Sequence, residues 1–543
     1  MKRRKFIQLS STGSLAGFLL NGHLVNAFTR TKLLNNVSEE VIRDRCIVMI
    51  QLSGGNDGLN TIIPKNQYDK YANIRPTIRI KNSGTHAGIE LDTSLSTADE
   101  TLLHPNLTPF KQLWDDGKLN IVHGVGYPQL NKSHFSGRAL MSKGGDGTDE
   151  NSNKPDGWVA RYLHSGFDHL QYEDPLGIQL GNKKPADEFH SDEEHKVDIN
   201  LSGQDTSGFY SELSNIGNPM PAFENVSSEY IQNIEFINGM EVTATNYAQR
   251  ISTVFDNGTN SVSYPSYDLA DQLKTVAKMI SGGSKTKIFL LRLDGFDNHA
   301  NQVESESNSH RGKHADLLAE LSESIKAFQD DLEQLDLDQN VVTTTFTEFG
   351  RKPVQNDNKG TDHGTLGPMF IIGSGVKGGF TGTHLSLDNL TYGPEGEKHF
   401  FDTQMQHDYR QVYSAIIGDF LGASDSTIID TEFAAYDIDR LNLIEHPILS
   451  NPYEKTSQEN SLKIVPNPVV NDIMIQFGSL EWLRGGIQIH DLQGRIVEEL
   501  TVDFSSGTNQ IPLNLSHLSK GLYVLNVIDD RNQTIATSKF AKQ

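Results

Sequence analysis

Residues 46–58 read Cys46-Ile47-Val48-Met49-Ile50-Gln51-Leu52-Ser53-Gly54-Gly55-Asn56-Asp57-Gly58. An apolar, β-branched run that stops at two glycines and an Asn-Asp-Gly turn reads as a buried strand feeding a polar loop. Runs 119–123, 287–293, 340–346 and 369–372 share that texture. Leu269, Leu273, Val276 and Ile280 recur at helical spacing, as do Leu317, Leu318, Leu321, Ile325, Phe328, Leu332 and Leu335. Each of these two helices precedes a strand, as a βαβ crossover requires. The expected fold class is therefore α/β, a doubly wound, mostly parallel sheet. The stretch from Pro185 to Asp198, rich in acids and holding two histidines, is expected to be a solvated insertion.

Composition narrows the chemistry. The chain has 543 residues and a formal net charge of −23, which repels polyphosphate and speaks against nucleic acid or an anionic membrane as partner. Residues 1–27 hold four basic side chains and no acid, and from Lys463 onward seven basic and eight acidic residues nearly cancel. The acidic excess therefore belongs to the central body, which suits a divalent cation. A single cysteine, Cys46, excludes an intrachain disulfide and cysteine-built zinc or iron–sulfur sites. Within its apolar run Cys46 is expected to be a buried small hydrophobe.

The two ends read as addresses. Met1-Lys2-Arg3-Arg4-Lys5-Phe6 and the short apolar stretch to Ala27 have the order of an export signal. The Arg3-Arg4 pair resembles a twin-arginine leader, and an ordinary secretory signal is the alternative. No later run reaches the ~18–20 apolar residues of a membrane helix. Residues 450–462 form a polar linker, and the remainder alternates apolar and polar residues with period two, as in Ile473/Ile475/Phe477, Ile487/Ile489 and Tyr523/Leu525/Val527. That pattern predicts a small β-sandwich.

The loops after the strands of the central body carry the chemistry. In chain order they supply Asp57, then Ser133 and His134, then Asp297 and His299, then Glu348 and Arg351, and finally Asp362 and His363. Open parallel sheets gather ligands at the carboxyl ends of their strands. Taken singly, Asp57 fits a tight turn, Glu348 a partner for Arg351, and Ser133 a helix N-cap. Recurrence of carboxylate and imidazole at one edge points instead to a shared polar site. These are ligand types for zinc, manganese, calcium or magnesium.

The strings LSGGNDGLNT, NKSHF, GFDNHANQ, TEFGR and GTDHGTLGPMFIIG, in order over residues 40 to 425, resemble the family called domain of unknown function 1501. The resemblance implies an alkaline phosphatase-like or sulfatase-like α/β domain, here over 40–449, with a metal site at the carboxyl edge. By it, Asp57, Asp297, His299, Glu348 and His363 are the metal candidates, and the strand-end loops add Asp362. Ser133 lies where the resemblance places the nucleophile; the strand-end cluster itself offers His134 or His299 as proton carrier and Arg138 or Arg351 to orient an anionic substrate. Phe349 departs from the phosphatase pattern by standing where a second ligand histidine follows the acid. Residues 463–543, through Val465-Pro466-Asn467-Pro468, His490-Asp491-Leu492-Gln493-Gly494-Arg495 and Leu518-Ser519-Lys520-Gly521-Leu522-Tyr523, resemble the sorting domain of type IX secretion cargo. Together these imply a protein secreted or displayed at the cell surface by way of the periplasm. Its partners would be a small ester or glycan substrate and the type IX machinery. Two readings stand: a metal-dependent hydrolase of phosphate or sulfate esters, and a non-catalytic surface protein binding a glycan or partner on a degenerate hydrolase fold.

Overall fold

The computed structural model describes residues 18–20, 23–29, 44–148, 156–167, 174–181, 186–190, 197–200, 204–205, 250–392, 398–400, 402–437 and 440–445 of the larger unit. Of the smaller unit it describes 462–465, 469, 471–479, 483–490, 495–504, 507–529 and 534–542. The chain divides into Met1–Ile448 and Leu449–Gln543.

The strands that decide the larger unit are β1 (Cys46–Ser53), β2 (Leu119–Gly126), β3 (Gly177–Leu180), β4 (Ile288–Asp294), β5 (Val341–Phe346), β6 (Gly367–Ile372) and β7 (Gly379–Thr381). They lie in the order β3-β4-β1-β5-β6-β2-β7 within a 12-stranded sheet. Around them stand α1 (Thr108–Asp115), α2 (His134–Lys143), α3 (Trp158–Phe167), α4 (Asp268–Ser281), α5 (Lys313–Gln334) and α6 (Tyr409–Asp419). Period-two alternation splits the strands between two cores. Cys46, Val48, Ile50 and Leu52 of β1 join Phe110 of α1, Leu273 of α4 and Leu321, Ile325 and Phe328 of α5. Ile47 and Met49 point the other way, to Trp158 and Tyr162 of α3 and Val412 and Ile416 of α6. A sheet covered by helices on both faces must be apolar on both, which is why its strands read as unbroken apolar runs. Within this core, burial pushes the Cys46 thiol up to about 12, so it is a packing residue.

Two expectations need correction. Strand β6 is not parallel: it pairs antiparallel with both β5 and β2. The 347–366 connection is therefore a return excursion that leaves and re-enters the sheet at one edge, with no crossover helix. The Pro185–Asp198 stretch is not simply a solvated insertion either. Asp187–Phe189 forms a helical turn whose Glu188 and Phe189 are buried, Phe189 filling the second core; residues 191–196 lie outside the described residues.

Of the leader, Phe18–Leu20 and His23–Thr29 pair as strands on the β3 side of the sheet; residues 1–17 lie outside the described residues. No helix among the described residues is long and apolar enough to cross a membrane.

The smaller unit is two antiparallel sheets. Three strands (Leu462–Val465, Asp472–Ser479, Gly507–Asn514) form one, and four (Leu483–His490, Ile496–Phe504, Gly521–Asp529, Thr534–Lys542) form the other. Ile473, Ile475 and Phe477 from the first meet Ile487, Ile489, Leu525 and Val527 from the second in one core, the β-sandwich arrangement. Most of the linker and the Asp491–Gly494 turn lie outside the described residues.

Candidate metal centre

Four loops meet at the carboxyl edge because the backbone lets them press together. Gly54, just past β1, has φ +118°, and a Cβ there would lie 2.3 Å from the Asp297 nitrogen. Gly360 plays the same part across the excursion, where a Cβ would lie 2.5 Å from the His299 carbonyl carbon. Only glycine permits both approaches.

The loop after β4 carries Asp297 and His299, the start of α2 carries His134, and the end of the β5–β6 excursion carries His363. Asp297 Oδ1 lies 3.3 Å from His134 Nε2, 3.2 Å from His299 Nε2 and 3.3 Å from His363 Nε2. His299 Nε2 and His363 Nε2 are 2.9 Å apart. The opposite nitrogen of each ring is tied down. His134 Nδ1 donates to Glu348 Oε1 at 2.7 Å, His299 Nδ1 to Asp362 Oδ1 at 3.1 Å, and His363 Nδ1 to the Lys132 carbonyl at 2.7 Å. A carboxylate or carbonyl only accepts, so each Nδ1 carries a proton, and the inward Nε2 offers a lone pair wherever the ring is neutral. His134, Asp297 and His363 bring one ligand atom each close enough together to share a cation, His299 Nε2 borders that group beside Asp297 and His363, and the buried His134 Nε2 makes no hydrogen bond.

Such a donor set could hold a cation. Zinc–nitrogen bonds of ~2.0–2.1 Å in a tetrahedron place neighbouring donors about 3.3 Å apart, close to the distances from Asp297 Oδ1 to the three rings. Ligand imidazoles held at the far nitrogen by a carboxylate or carbonyl are the usual outer support of such sites. The site is open: the side chains of His299 and Asp297 are 45% and 47% exposed.

Charge is arranged accordingly. Burial opposes ionisation of Asp297, but the Arg351 hydrogen bond and charge, with His134 and His299 nearby, hold its carboxyl at about 2. Burial likewise opposes ionisation of Asp362, and hydrogen bonds from Asn356, His299 and Lys352 outweigh it, so its carboxyl is held low. Burial lowers the His363 imidazole, which favours the neutral, lone-pair-bearing ring.

Of the ten residues singled out in the sequence, His134, Asp297 and His363 form one compact group, and His299 borders it on the Asp297 and His363 side. Glu348 and Asp362 stand behind the imidazoles; Glu348, 1% exposed, also accepts from the Gly54 nitrogen at 2.9 Å. His134 turns Nε2 toward Asp297, as His299 and His363 do. Arg351 is not available to a substrate. Its guanidinium donates to the carbonyls of Gly54, Gly55, Phe296 and Thr361 and to Asp297 Oδ1 at 2.6 Å, stitching the loops together. Arg138 donates from Nε to the His134 carbonyl at 3.0 Å, one turn further along α2. Ser133 occupies the N-cap position of α2, but its exposed hydroxyl makes no capping bond.

Asp57 is elsewhere. It is 2% exposed and paired with Arg75 at 2.6 Å, with Gln302 Nε2 donating to the same oxygen at 2.6 Å. Burial works against its charge, and Arg75 outweighs burial, so Asp57 is an ionised structural anchor. Sequence reading missed the Lys132 carbonyl, since a backbone acceptor leaves no mark in residue type. Asn356, which donates to Asp362 Oδ1 at 3.0 Å, was equally silent. Phe349 packs its ring on those of His134 and His363, with centroids 4.9 and 4.7 Å away, walling one side of the cluster.

Comparison with known proteins places the two units. Residues 463–543 match the secretion system C-terminal sorting domain, the type IX address that sends a chain to the cell surface or beyond. No curated protein is similar enough to count as a relative. Among solved structures, latent PorU from Porphyromonas gingivalis is 24% identical over 15% of this chain and 9% of its own, with a TM-score of 0.14. This chain therefore spans about a tenth of that protein. A Bacteroides thetaiotaomicron protein from work on glycosaminoglycan metabolism is 10% identical over 91% of this chain and 89% of its own, TM-score 0.31. The PsFucS1 sulfatase of Pseudoalteromonas sp. is 10% identical over 88% and 85%, TM-score 0.32. Residues 44–395, which contain every loop of the metal candidate, match the family described as "Protein of unknown function (DUF1501)", and the chain belongs to that family.

Proposed function

We propose that His134, Asp297, His299 and His363 hold one divalent cation, and that with it the secreted domain hydrolyses phosphate or sulfate esters. The observation that carries this reading is the approach of three imidazole Nε2 atoms to one Asp297 oxygen, each ring fixed from behind. Three imidazoles against one carboxylate oxygen favour zinc over manganese, calcium or magnesium. When bound, such a cation supplies Lewis-acid polarisation of an ester oxygen.

The chain's own groups do the rest. Arg351 holds Asp297 ionised and aimed inward. Glu348, Asp362 and the Lys132 carbonyl keep the Nδ1 protons in place. Ser133, exposed beside His134, presents its hydroxyl as the nucleophile candidate. Arg138 offers a guanidinium to an anionic substrate one helical turn away. The same reading includes export on the 1–27 leader, by either route, and the division into 40–449, 450–462 and 463–543.

The test is metal content together with hydrolysis of aryl phosphates and aryl sulfates. The reading expects about one cation per chain and turnover that falls at least 100-fold in Asp297→Asn and His363→Ala. No cation and no turnover in the wild-type protein overturns it. The non-catalytic alternative draws on Phe349, which occupies the space beside His134 and His363 that further ligands would need. Glycan binding that survives both substitutions, with no ester turnover, decides for that alternative.

A further inference from the structure

The string GFDNHANQ that follows β4 ends in Gln302, which is fully buried. The chain turns it inward through Asn301, whose φ of +52° lies in the left-handed region that asparagine tolerates better than most residues. The facing excursion makes a matching turn at Lys359, φ +56°. The two turns dock through their backbones. The Asn301 nitrogen donates to the Asn358 carbonyl at 3.0 Å, and the Gln302 nitrogen to the Lys359 carbonyl at 2.9 Å. Non-glycine residues persist in that conformation where surrounding contacts over-determine the backbone.

The buried amide of Gln302 supplies such contacts. Its Nε2 donates to Asp57 Oδ2 at 2.6 Å, and its Oε1 accepts from Thr361 Oγ1 at 3.0 Å. A carboxylate only accepts, so the amide has one orientation. The Gln302 carbonyl accepts from the His314 nitrogen, at the start of α5, at 3.2 Å. One residue thus joins the Asp57–Arg75 pair after β1, the loop after β4, the excursion and α5. A buried amide is destabilising unless its bonds are made, and once made they specify one geometry.

We propose that Gln302 is a positioning residue of the cluster: through Thr361 it holds His299 against His363 and so makes His299 the fourth cation ligand. The inference rests on the cation reading. His134, Asp297 and His363 form the compact group, and His299 borders it. His299 stands three residues before Gln302, and His363 two after Thr361. The Gln302–Thr361 bond therefore sets how the two loops meet. The Thr361 nitrogen donates to the Asn298 carbonyl at 3.1 Å and Asn356 Nδ2 to the His299 carbonyl at 2.9 Å, closing the same seam. That seam leaves the His299 and His363 Nε2 atoms 2.9 Å apart. His134 is set by α2 and Glu348, and Asp297 by Arg351. Breaking the Gln302–Thr361 bond thus displaces His299 and leaves the other three donors in place.

Zinc titration of the full chain against a competing chelator, with and without the His299 imidazole, tests this. Thr361→Val removes only the hydroxyl, and Gln302→Leu removes both bonds at similar volume. Each should weaken zinc binding about tenfold, the low end of the loss expected for an outer partner. In a His299→Ala background the same substitutions should change affinity by less than about twofold, because the ligand they position is already gone. The visible bands of the cobalt(II)-loaded Thr361→Val protein should coincide with those of His299→Ala. The exchange variant Gln302→Glu/Asp57→Asn keeps one amide facing one carboxylate and should bind zinc more tightly than Gln302→Leu. Unchanged affinity in Thr361→Val and Gln302→Leu overturns the proposal. So do equal losses with and without His299, which mark general softening of the fold. A wild-type chain that takes up no zinc overturns the cation reading alone. The positioning claim is then decided in the stripped protein by amide hydrogen exchange. Exchange at Asn301 and Thr361 about tenfold faster in Thr361→Val, with β4 amides unchanged, upholds it, and equal exchange overturns it.

Discussion

Glu348→Gln isolates the support behind one ligand. Glu348 Oε1 accepts from the Gly54 nitrogen at 2.9 Å and from His134 Nδ1 at 2.7 Å, and the side chain is 1% exposed. Glutamine keeps the shape and an acceptor oxygen, so the fold should hold; what disappears is the negative charge that makes His134 a better donor to a cation. Loss of such an outer partner costs ~10–100-fold in metal affinity, or about 1.4–2.7 kcal/mol at ~1.4 kcal/mol per decade. The assay is a zinc titration against a competing chelator, with melting curves of stripped and loaded protein. At a metal concentration ~100 times the wild-type Kd, binding stabilises the native state by about 2.7 kcal/mol. The same metal should stabilise the variant by only about 1.4 to about 0.4 kcal/mol, for a tenfold or hundredfold weaker Kd. A variant Kd within threefold of wild type, with unchanged melting of the stripped protein, refutes the role assigned to Glu348 and weakens the case for His134 as a ligand.

Three other perturbations probe the same geometry. Asp57→Asn should cost about 3–5 kcal/mol of stability by leaving Arg75 buried without its partner, seen in denaturant unfolding, while metal affinity stays within a few-fold; the reverse pattern would make Asp57 a ligand. Gly54→Ala must push Asp297 away, since its Cβ would fall 2.3 Å from the Asp297 nitrogen at φ +118°. It should weaken metal binding at least tenfold, and unaltered affinity would show that the loop yields. Glu188 is raised from 4.5 to about 7 by burial, then by Asp187, against the opposing charges of Arg138 and Arg292. Between those values the folded state holds more protons than the unfolded one, so this group's contribution falls as pH rises through the window and is fully favourable only below it. The shift corresponds to about 3 kcal/mol, and Glu188→Gln should flatten that part of a stability–pH curve; a curve identical to wild type refutes the burial argument.

The fold was legible where local pattern and global packing agree. The run 46–52 is apolar on both faces because helices cover both, and Leu269, Leu273, Val276 and Ile280 form a buried stripe because α4 lies on the first core. The direction of β6 was not legible, since residue pattern is blind to strand polarity; only its pairing with β5 and β2 reveals it. The acids at 187–188 read as solvated because composition cannot register that Phe189 anchors the turn in the core. At the site, residue type sorted the chemistry into the right loops but not into layers. A carboxylate that binds a cation and one that holds a histidine are the same letter, and Glu348 and Asp362 differ from Asp297 only by which atom they face. Asp57 is the sharper case: Arg75, 18 residues away, draws it into the interior.

The central claim, one cation held by His134, Asp297, His299 and His363, is met most directly by counting metal. The full chain, stripped and dialysed against zinc or manganese, is assayed by elemental analysis beside the His299→Ala/His363→Ala double variant, with circular dichroism confirming that both are folded. The geometry predicts about one cation per wild-type chain and none in the folded double variant. No bound cation in the wild type, or equal occupancy in the two proteins, contradicts it.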